Sequence, residues 1–153
     1  MKVCLGGTFN ILHFGHMELI NKAFKLAGPR GSVFIGLTTD AFIKNKVNIK
    51  PYLERKKTLE EYLKEKGFFN NAYIKPISDR FGPTLEEDFD VIVVSQETVR
   101  NAEEINLIRK KNGKKPLKII KITLVLAKDG LPISSTRIHN RDIDKKGNIL
   151  KKD

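Results

Sequence analysis

Two histidines and a glycine pair near the start of the chain have the types and spacing that phosphate chemistry requires. Segment 6–16 is GGTFNILHFGH: Gly6 and Gly7 follow an apolar run, and His13 and His16 are three residues apart. Glycine lets a backbone approach a ligand closely, and the free N–H groups at a helix start attract anions. The three-residue spacing would put both imidazoles on one helix face beside the anion. The segment therefore predicts a phosphate-binding turn.

The same histidines have two other interpretations. They could pack on a partly buried helix face, or they could form half of a metal site. Zinc would need further ligands, and the remaining candidates, Cys4 and His139, have no recognisable ligand spacing. Phosphate binding is therefore favoured, and we expect no metal ligands among the protein side chains.

The elements that must position this turn alternate along the chain between strand and helix. Apolar runs predict strands at 3–5, 33–37, 72–77, 90–95 and 117–126. Helical spacing predicts helices at 14–26, 53–66 and 98–111. In the second helix, Leu53, Leu59 and Leu63 are expected to face inward. The pattern predicts an α/β fold with a parallel five-stranded sheet and helices on both faces.

Polar residues follow the predicted strands, or precede the predicted helices, at five places. These are 6–8, 38–40, 78–83, 95–98 and 134–136. Any one of them alone is explained by helix capping, because serine, threonine and aspartate are favoured there. Parallel sheets, however, bind ligands at the carboxyl ends of their strands. We therefore expect the five clusters to meet at one edge of the sheet.

Length and composition indicate a single domain. The chain has 153 residues, of which 40% are hydrophobic, enough for one core. We expect this domain to span residues 1–143 and the charged segment 144–153 to be a loosely ordered tail. One cysteine leaves no internal disulfide, and the first strand begins too early for a signal peptide. Without an apolar run of bilayer length, the sequence predicts a cytoplasmic protein with no membrane partner.

The net charge narrows the class of ligand. A formal charge of +11 predicts a positive field that concentrates polyanions such as nucleotides, coenzymes or nucleic acid. A nucleic-acid-binding protein is one alternative, but the chain has no helix-turn-helix, zinc-finger or RNP pattern, and its basic residues are dispersed. We therefore expect no nucleic-acid partner.

Two motifs connect the chain with a known superfamily. The GTFN turn followed by HFGH resembles the first signature of the nucleotidyltransferases, and ISSTR at 133–137 resembles the second, at a helix start near the C-terminus. Asn10 stands where that superfamily usually has aspartate, which keeps the turn geometry and removes a charge. The resemblance implies a Rossmann-like nucleotidyltransferase fold.

Motifs in the middle of the chain narrow the resemblance. They are KxKV at 44–47, PYxER at 51–55, DxxGP at 79–83, VVSxET at 93–98 and INxxR at 105–109. Together they resemble archaeal phosphopantetheine adenylyltransferase and the matching domain of eukaryotic coenzyme A synthase, over residues 3–138. The resemblance implies that ATP and 4'-phosphopantetheine give dephospho-coenzyme A and pyrophosphate by direct in-line attack, with Mg²⁺ carried by the ATP phosphates.

This resemblance also implies roles for individual residues. Thr8 would hold the incoming phosphate, His16 would donate to the α-phosphate of ATP or to the bridging oxygen, and Lys46 would neutralise the reacting phosphates. Further substrate or nucleotide contacts are implied at Gly6, Gly7, Phe9, His13, Gly15, Lys44, Glu97, Ser134, Ser135, Thr136 and Arg137. Of these, Ser135 and Thr136 would hold the β- and γ-phosphates at the second helix start with their backbone N–H groups and hydroxyls.

Other branches of the superfamily remain alternatives. Enzymes that use CTP or flavin mononucleotide share the histidine motif, and nicotinamide-mononucleotide adenylyltransferases share the Ser-Ser-Thr helix start but normally have different loops in the middle of the chain. In the cytidylyltransferase and archaeal FAD synthetase branches an Arg-Thr-Glu-Gly run usually precedes the ISST-type motif, and segment 127–133 of this chain lacks it. The sequence leaves oligomeric state open between a monomer and a small homo-oligomer.

Overall fold

Five parallel strands form the centre of the computed structural model, which describes residues 1–44, 48–123 and 125–150. The strands are β1 (Lys2–Gly7), β2 (Ser32–Thr38), β3 (Ala72–Ile77), β4 (Val91–Val94) and β5 (Lys118–Lys121). They lie in the order β3-β2-β1-β4-β5, and every pairing is parallel. The strand order reverses between β1 and β4, and at such a switch point open α/β sheets form their ligand crevice. The predicted parallel sheet is confirmed.

Helices cover both faces of the sheet. They are α1 (Phe14–Ala27), α2 (Tyr52–Glu65), α3 (Val99–Lys111) and the short α4 (Ser135–His139). Because successive strand residues point to opposite faces, Val3 and Leu5 pack with Ile20 of α1 and Leu63 of α2, whereas Cys4 packs with Ile105 of α3. None of the helices in the described residues is long and apolar enough to cross a membrane.

The inward face of α2 differs from the prediction at one residue. Leu53 is 76% exposed, and the buried residues of this helix are Arg55, Leu59, Tyr62 and Leu63. Leu53 and Leu59 are six residues apart and therefore lie on different faces, whereas the buried set has the three- and four-residue spacing of a single stripe. The buried stripe therefore includes the positively charged side chain of Arg55.

The last strand is shorter than the predicted region 117–126. Strand β5 ends at Lys121 because its partner β4 ends at Val94, and one more hydrogen bond joins the Ile122 N–H to the Val94 carbonyl at 2.9 Å. Beyond it, Leu126 forms an isolated antiparallel bridge with Pro132.

Residues 144–150 turn back onto the domain. Ile143 is fully buried beside Ala127 and Ile133, and the Lys145 carbonyl accepts a hydrogen bond of 3.2 Å from the Phe14 N–H at the start of α1. The part of the expected tail that the structure describes therefore makes specific contacts. The domain boundary at residue 143 stays a prediction, and residues 151–153 lie outside the described ranges.

Candidate active site

The start of α1 is capped by its own histidines. His13 Nδ1 accepts hydrogen bonds from the N–H groups of Gly15 at 3.0 Å and of His16 at 3.3 Å. His16 Nδ1 accepts in return from the His13 N–H at 3.4 Å. The two imidazoles stack with ring centroids 3.7 Å apart. This reciprocal cap fixes both rings at the positive end of the helix.

These contacts determine the protonation of the two histidines. Since each Nδ1 accepts a hydrogen bond, a neutral ring carries its proton on Nε2. Burial lowers the pKa of His13 to about 4. Burial, followed by the proximity of His13, lowers the pKa of His16 to about 3, and a hydrogen bond with the Ile11 backbone partly offsets this shift by raising the pKa. At neutral pH both side chains are therefore uncharged hydrogen-bond donors through Nε2.

The turn before α1 is shaped by the packing of Phe9 and by glycines. Phe9 is 3% exposed, has a φ of +47°, and meets the His16 ring edge to face at 5.0 Å. A Cβ at Gly7 would lie 3.1 Å from the Phe9 ring, and a Cβ at Gly15 would lie 2.8 Å from the His13 ring. Glycine at both positions lets the aromatic rings reach the backbone. Gly6 has no such contact, since its nearest neighbour would be 3.5 Å away.

Arg55 joins the carboxyl ends of β1 and β2. Its guanidinium donates to the Thr8 carbonyl at 3.0 Å, to the Thr38 carbonyl at 2.9 Å and to Asp40 Oδ1 at 3.0 Å. The Thr38 hydroxyl in turn donates to Thr8 Oγ1 at 3.0 Å. Arg55 is only 1% exposed, so a buried cation holds these two loops together.

The third loop at this edge is attached through Asn10 and Lys50. Asn10 Oδ1 accepts from the Lys50 N–H at 2.7 Å, and its amide donates to the Asn48 carbonyl at 3.0 Å. Lys44 is exposed in the turn after β2. Lys46, predicted to neutralise the reacting phosphates, lies outside the described residues.

The second signature also lies beside the turn. Ser134 caps α4 by accepting from the Arg137 N–H at 3.2 Å, and the Ser135 hydroxyl donates to the Ile11 carbonyl at 3.4 Å. Thr136 is exposed at the helix start. The Arg137 guanidinium donates to the Pro132 carbonyl and pairs with Asp129, so it stabilises the loop before α4.

A small pocket of about 50 Å³ lies on the α3 side of β1. Gly6, Gly36, Phe81 and Asn101 are among the residues that line it. The Asn101 amide donates to the Arg80 carbonyl at 2.7 Å, but its buried Oδ1 has no hydrogen-bond partner in the described part of the structure. The pocket is too small for more than one or two water molecules, and the unpaired Asn101 oxygen is buried in its lining.

The structure therefore brings together one group of predicted residues. Hydrogen bonds and ring contacts link Phe9, His13, Gly15 and His16 to one another. Within the same turn, Thr8 bonds to Thr38 at the end of β2, and the Ile11 carbonyl accepts from Ser135 of α4. Glu97 is exposed in the turn after β4. No described contact joins Glu97 to the histidine turn, and its predicted role stays a prediction.

Sequence reasoning gave Arg55 no role in the site beyond its place in a motif. A signal for its burial was present, because an arginine in register with Leu59 and Tyr62 must be buried and needs several acceptors. The unpaired oxygen of Asn101 had no signal in the sequence, since it depends on how α3 faces the loop at Arg80.

A parallel α/β sheet with a histidine-capped helix at its carboxyl edge defines the nucleotidyltransferase class. The family model described as cytidylyltransferase-like matches residues 4–141. The phosphopantetheine adenylyltransferase of Methanosarcina mazei is 48% identical over 98% of this chain and 97% of its own. That of Archaeoglobus fulgidus is 40% identical over 98% of this chain and 100% of its own. The chain belongs to the cytidylyltransferase-like family and, within it, to the phosphopantetheine adenylyltransferases.

Solved structures agree on the fold. A crystal structure of a protein with unknown function from Archaeoglobus fulgidus superposes with a TM-score of 0.73 at 38% identity, covering 80% of this chain and 90% of that one. A pantoate-beta-alanine ligase from Francisella tularensis has a TM-score of 0.57 at 17% identity, covering 91% of this chain and 65% of its own. The second likeness concerns the fold alone.

Proposed function

We propose that the protein transfers the adenylyl group of ATP to 4'-phosphopantetheine, producing dephospho-coenzyme A and pyrophosphate. The activity in the names of its relatives supports this reaction. The observation that carries the proposal is the stacked, neutral pair of His13 and His16 beside the Thr8 turn, fixed by the hydrogen bonds that each Nδ1 accepts.

In this reaction an oxygen of the phosphopantetheine phosphate attacks the α-phosphorus of ATP. A new P–O bond forms, the bond to the bridging oxygen breaks, and pyrophosphate leaves. The protein forms no covalent intermediate, so its contribution is positioning and charge stabilisation. Thr8 holds the incoming phosphate, while His16, assisted by His13, donates Nε2–H to the α-phosphate.

Two lysines and the start of α4 complete the proposed arrangement. Lys46, together with the exposed Lys44, neutralises the two reacting phosphates. The N–H groups of Ser135 and Thr136 and the Thr136 hydroxyl hold the β- and γ-phosphates, while the Ser135 hydroxyl, which donates to the Ile11 carbonyl, keeps this helix start beside the turn. The adenine and ribose lie along Gly6, Gly7, Gly15 and the segment 95–101, which includes Glu97.

Mg²⁺ is part of the proposal as an ion carried by the ATP phosphates. Among the described residues, no group of three histidine, cysteine or acidic side chains is placed to hold a metal. Asp40, the carboxylate at the end of β2, already accepts from Arg55 and from the Tyr52 N–H at 3.0 Å. This donor set fits an ion held by phosphate oxygens, where it would offset charge on the leaving pyrophosphate.

Substrate profiling tests the proposed function. ATP and CTP would each be incubated with phosphopantetheine, nicotinamide mononucleotide and flavin mononucleotide, with Mg²⁺, and the products measured by mass spectrometry and pyrophosphate release. We expect dephospho-coenzyme A from ATP and phosphopantetheine alone. Turnover that requires CTP, or that uses nicotinamide or flavin mononucleotide as the acceptor with none on phosphopantetheine, would assign the chain to a different branch. The cytoplasmic location and a monomeric or small homo-oligomeric state remain predictions.

A further inference from the structure

Asn10 is bonded at both ends of its amide to a loop almost forty residues away. It accepts from the Lys50 N–H at 2.7 Å and donates to the Asn48 carbonyl at 3.0 Å. Asparagine is the residue type that fits, because one bond needs an acceptor and the other needs a donor on the same planar group. The ionised aspartate usual at this position would provide acceptors only.

The same loop returns to the turn through Arg55. The Lys50 carbonyl accepts from Arg55 Nε at 2.7 Å, and Arg55 Nη1 donates to the Thr8 carbonyl at 3.0 Å. Starting at Asn10, the path runs through Lys50 and Arg55 to Thr8, which is two residues from Asn10. The hydrogen bonds therefore form a closed circuit around the substrate-binding turn.

On the basis of the transfer reaction proposed above, we propose that Asn10 is a positioning residue that fixes the Thr8 turn against the 48–50 loop. Asn10 acts through the backbone of that loop and through Arg55, and it need not touch the substrate. Both bonds of its amide are required, so the asparagine that removes the family's usual charge has a function of its own in this chain.

Two substitutions at residue 10 separate this role from simple packing. Asn10→Ala removes both bonds, whereas Asn10→Asp keeps the acceptor for the Lys50 N–H and replaces the donor with a carboxylate oxygen facing the Asn48 carbonyl. At pH 7.5 both variants should lower kcat/KM for phosphopantetheine by about tenfold, the loss expected when an oriented hydrogen bond is removed. Asn70→Asp is the matched control, since Asn70 is exposed near the opposite edge of the sheet.

A pH profile provides the decisive readout. With the ordinary aspartate pKa of about 3.9, roughly 7% of the introduced carboxyl is protonated at pH 5.0 and can donate to the Asn48 carbonyl again, so the activity of Asn10→Asp relative to wild type should rise by about 1.6-fold from pH 7.5 to pH 5.0. The relative activity of Asn10→Ala should stay flat. The charged groups bonded into the circuit are Arg55 and Asp40, and normalising to wild type removes their contribution.

Hydrogen exchange gives a measurement that does not depend on catalysis. In the wild-type protein the Lys50 amide should be protected, and Asn10→Ala should speed its exchange while leaving the sheet amides unchanged. Equal exchange at Lys50, or wild-type activity in both variants, would overturn the positioning role. A loss in Asn10→Asp alone would show charge repulsion and would also overturn it. Absence of transfer in the wild-type protein would instead refute the proposed function, with the exchange result still deciding the role of Asn10.

Discussion

A histidine whose Nδ1 accepts a backbone N–H has a defined tautomer, and this sets the chemistry open to His13 and His16. Their lowered pKa values mean that neither ring is a cation at pH 7. In the proposed reaction the pair would stabilise developing phosphate charge as oriented dipoles, and the lysines would have to provide the positive charge. Stacking at 3.7 Å is compatible with this, because two charged rings at that distance would repel.

Substitution of His16 tests this division of labour. His16→Ala removes an Nε2–H donor at the reacting phosphate, and we expect kcat to fall by about 10²–10³-fold. The helix loses one cap contact worth about 1 kcal/mol, which for a chain of this size lowers Tm by only about 3 °C. The transfer rate and a calorimetric melt measure the two effects. A collapse of Tm that matches the loss of activity would show that His16 is mainly a packing residue.

The depressed histidine pKa values also predict how stability depends on pH. Both groups titrate near 6.5 when unfolded but near 4 and 3 in the fold, so the unfolded chain binds more protons below pH 6.5. With respect to these two groups, the free energy of unfolding is highest above pH 6.5. It decreases as the pH falls, by up to about 2 kcal/mol per histidine at pH 5. Urea unfolding at pH 7.5 and 5.0 measures it. The double variant His13→Asn, His16→Asn should lose less stability between these pH values than wild type, and an equal loss would contradict the shifts.

At the scale of elements, apolar periodicity predicted the helices and strands, but only packing determines which residues of a stripe are buried. The five strands and the three long helices follow from runs and spacing that are visible in the sequence. Leu53 was assigned to the wrong face because leucine is hydrophobic at any exposure. Arg55 was identified only as part of a family motif. Its hydrogen-bond partners were not predicted, because most of them are backbone carbonyls, which no side-chain pattern reveals.

Two leucines of α2 provide a matched test of that reassignment. Leu59 is 1% exposed in the main core, and Leu59→Ala should cost about 2–5 kcal/mol of unfolding free energy. Leu53 is 76% exposed on the same helix, and Leu53→Ala should change stability by less than about 0.5 kcal/mol. Urea denaturation of both variants gives the comparison. Similar losses at the two positions would place Leu53 back in the core.

At the scale of the whole molecule, the sequence predicts which loops meet but not how they are joined. Much of the site was predictable, because the two signatures name the residues that meet at the sheet edge. The links between loops could not be predicted. The bonds from Asn10 to the 48–50 loop depend on backbone groups whose positions the complete fold sets, and the Asn101 oxygen is unpaired only in that context.

The field of the whole chain should appear in the binding of ATP. A formal net charge of +11 attracts the triphosphate over long distances, and salt screens that attraction. We expect the Kd for ATP to rise steadily as the ionic strength is raised from 0.05 to 0.5 M, roughly a fall in Debye length from 14 to 4 Å. Adenosine, which has no phosphate, is the control and should bind with little salt dependence. Titration calorimetry measures both, and parallel behaviour of the two ligands would exclude an electrostatic contribution.

The contact between Ser135 and the Ile11 carbonyl has a consequence for how the protein is made. It joins residues 124 positions apart, and a ribosome delivers the histidine turn first and its partner near the end of synthesis. A nascent or prematurely released chain that stops before α4 would lack Ser135 and Thr136, which the proposed reaction assigns to the β- and γ-phosphates. ATP should therefore protect completed molecules from proteolysis while leaving translation fragments unprotected.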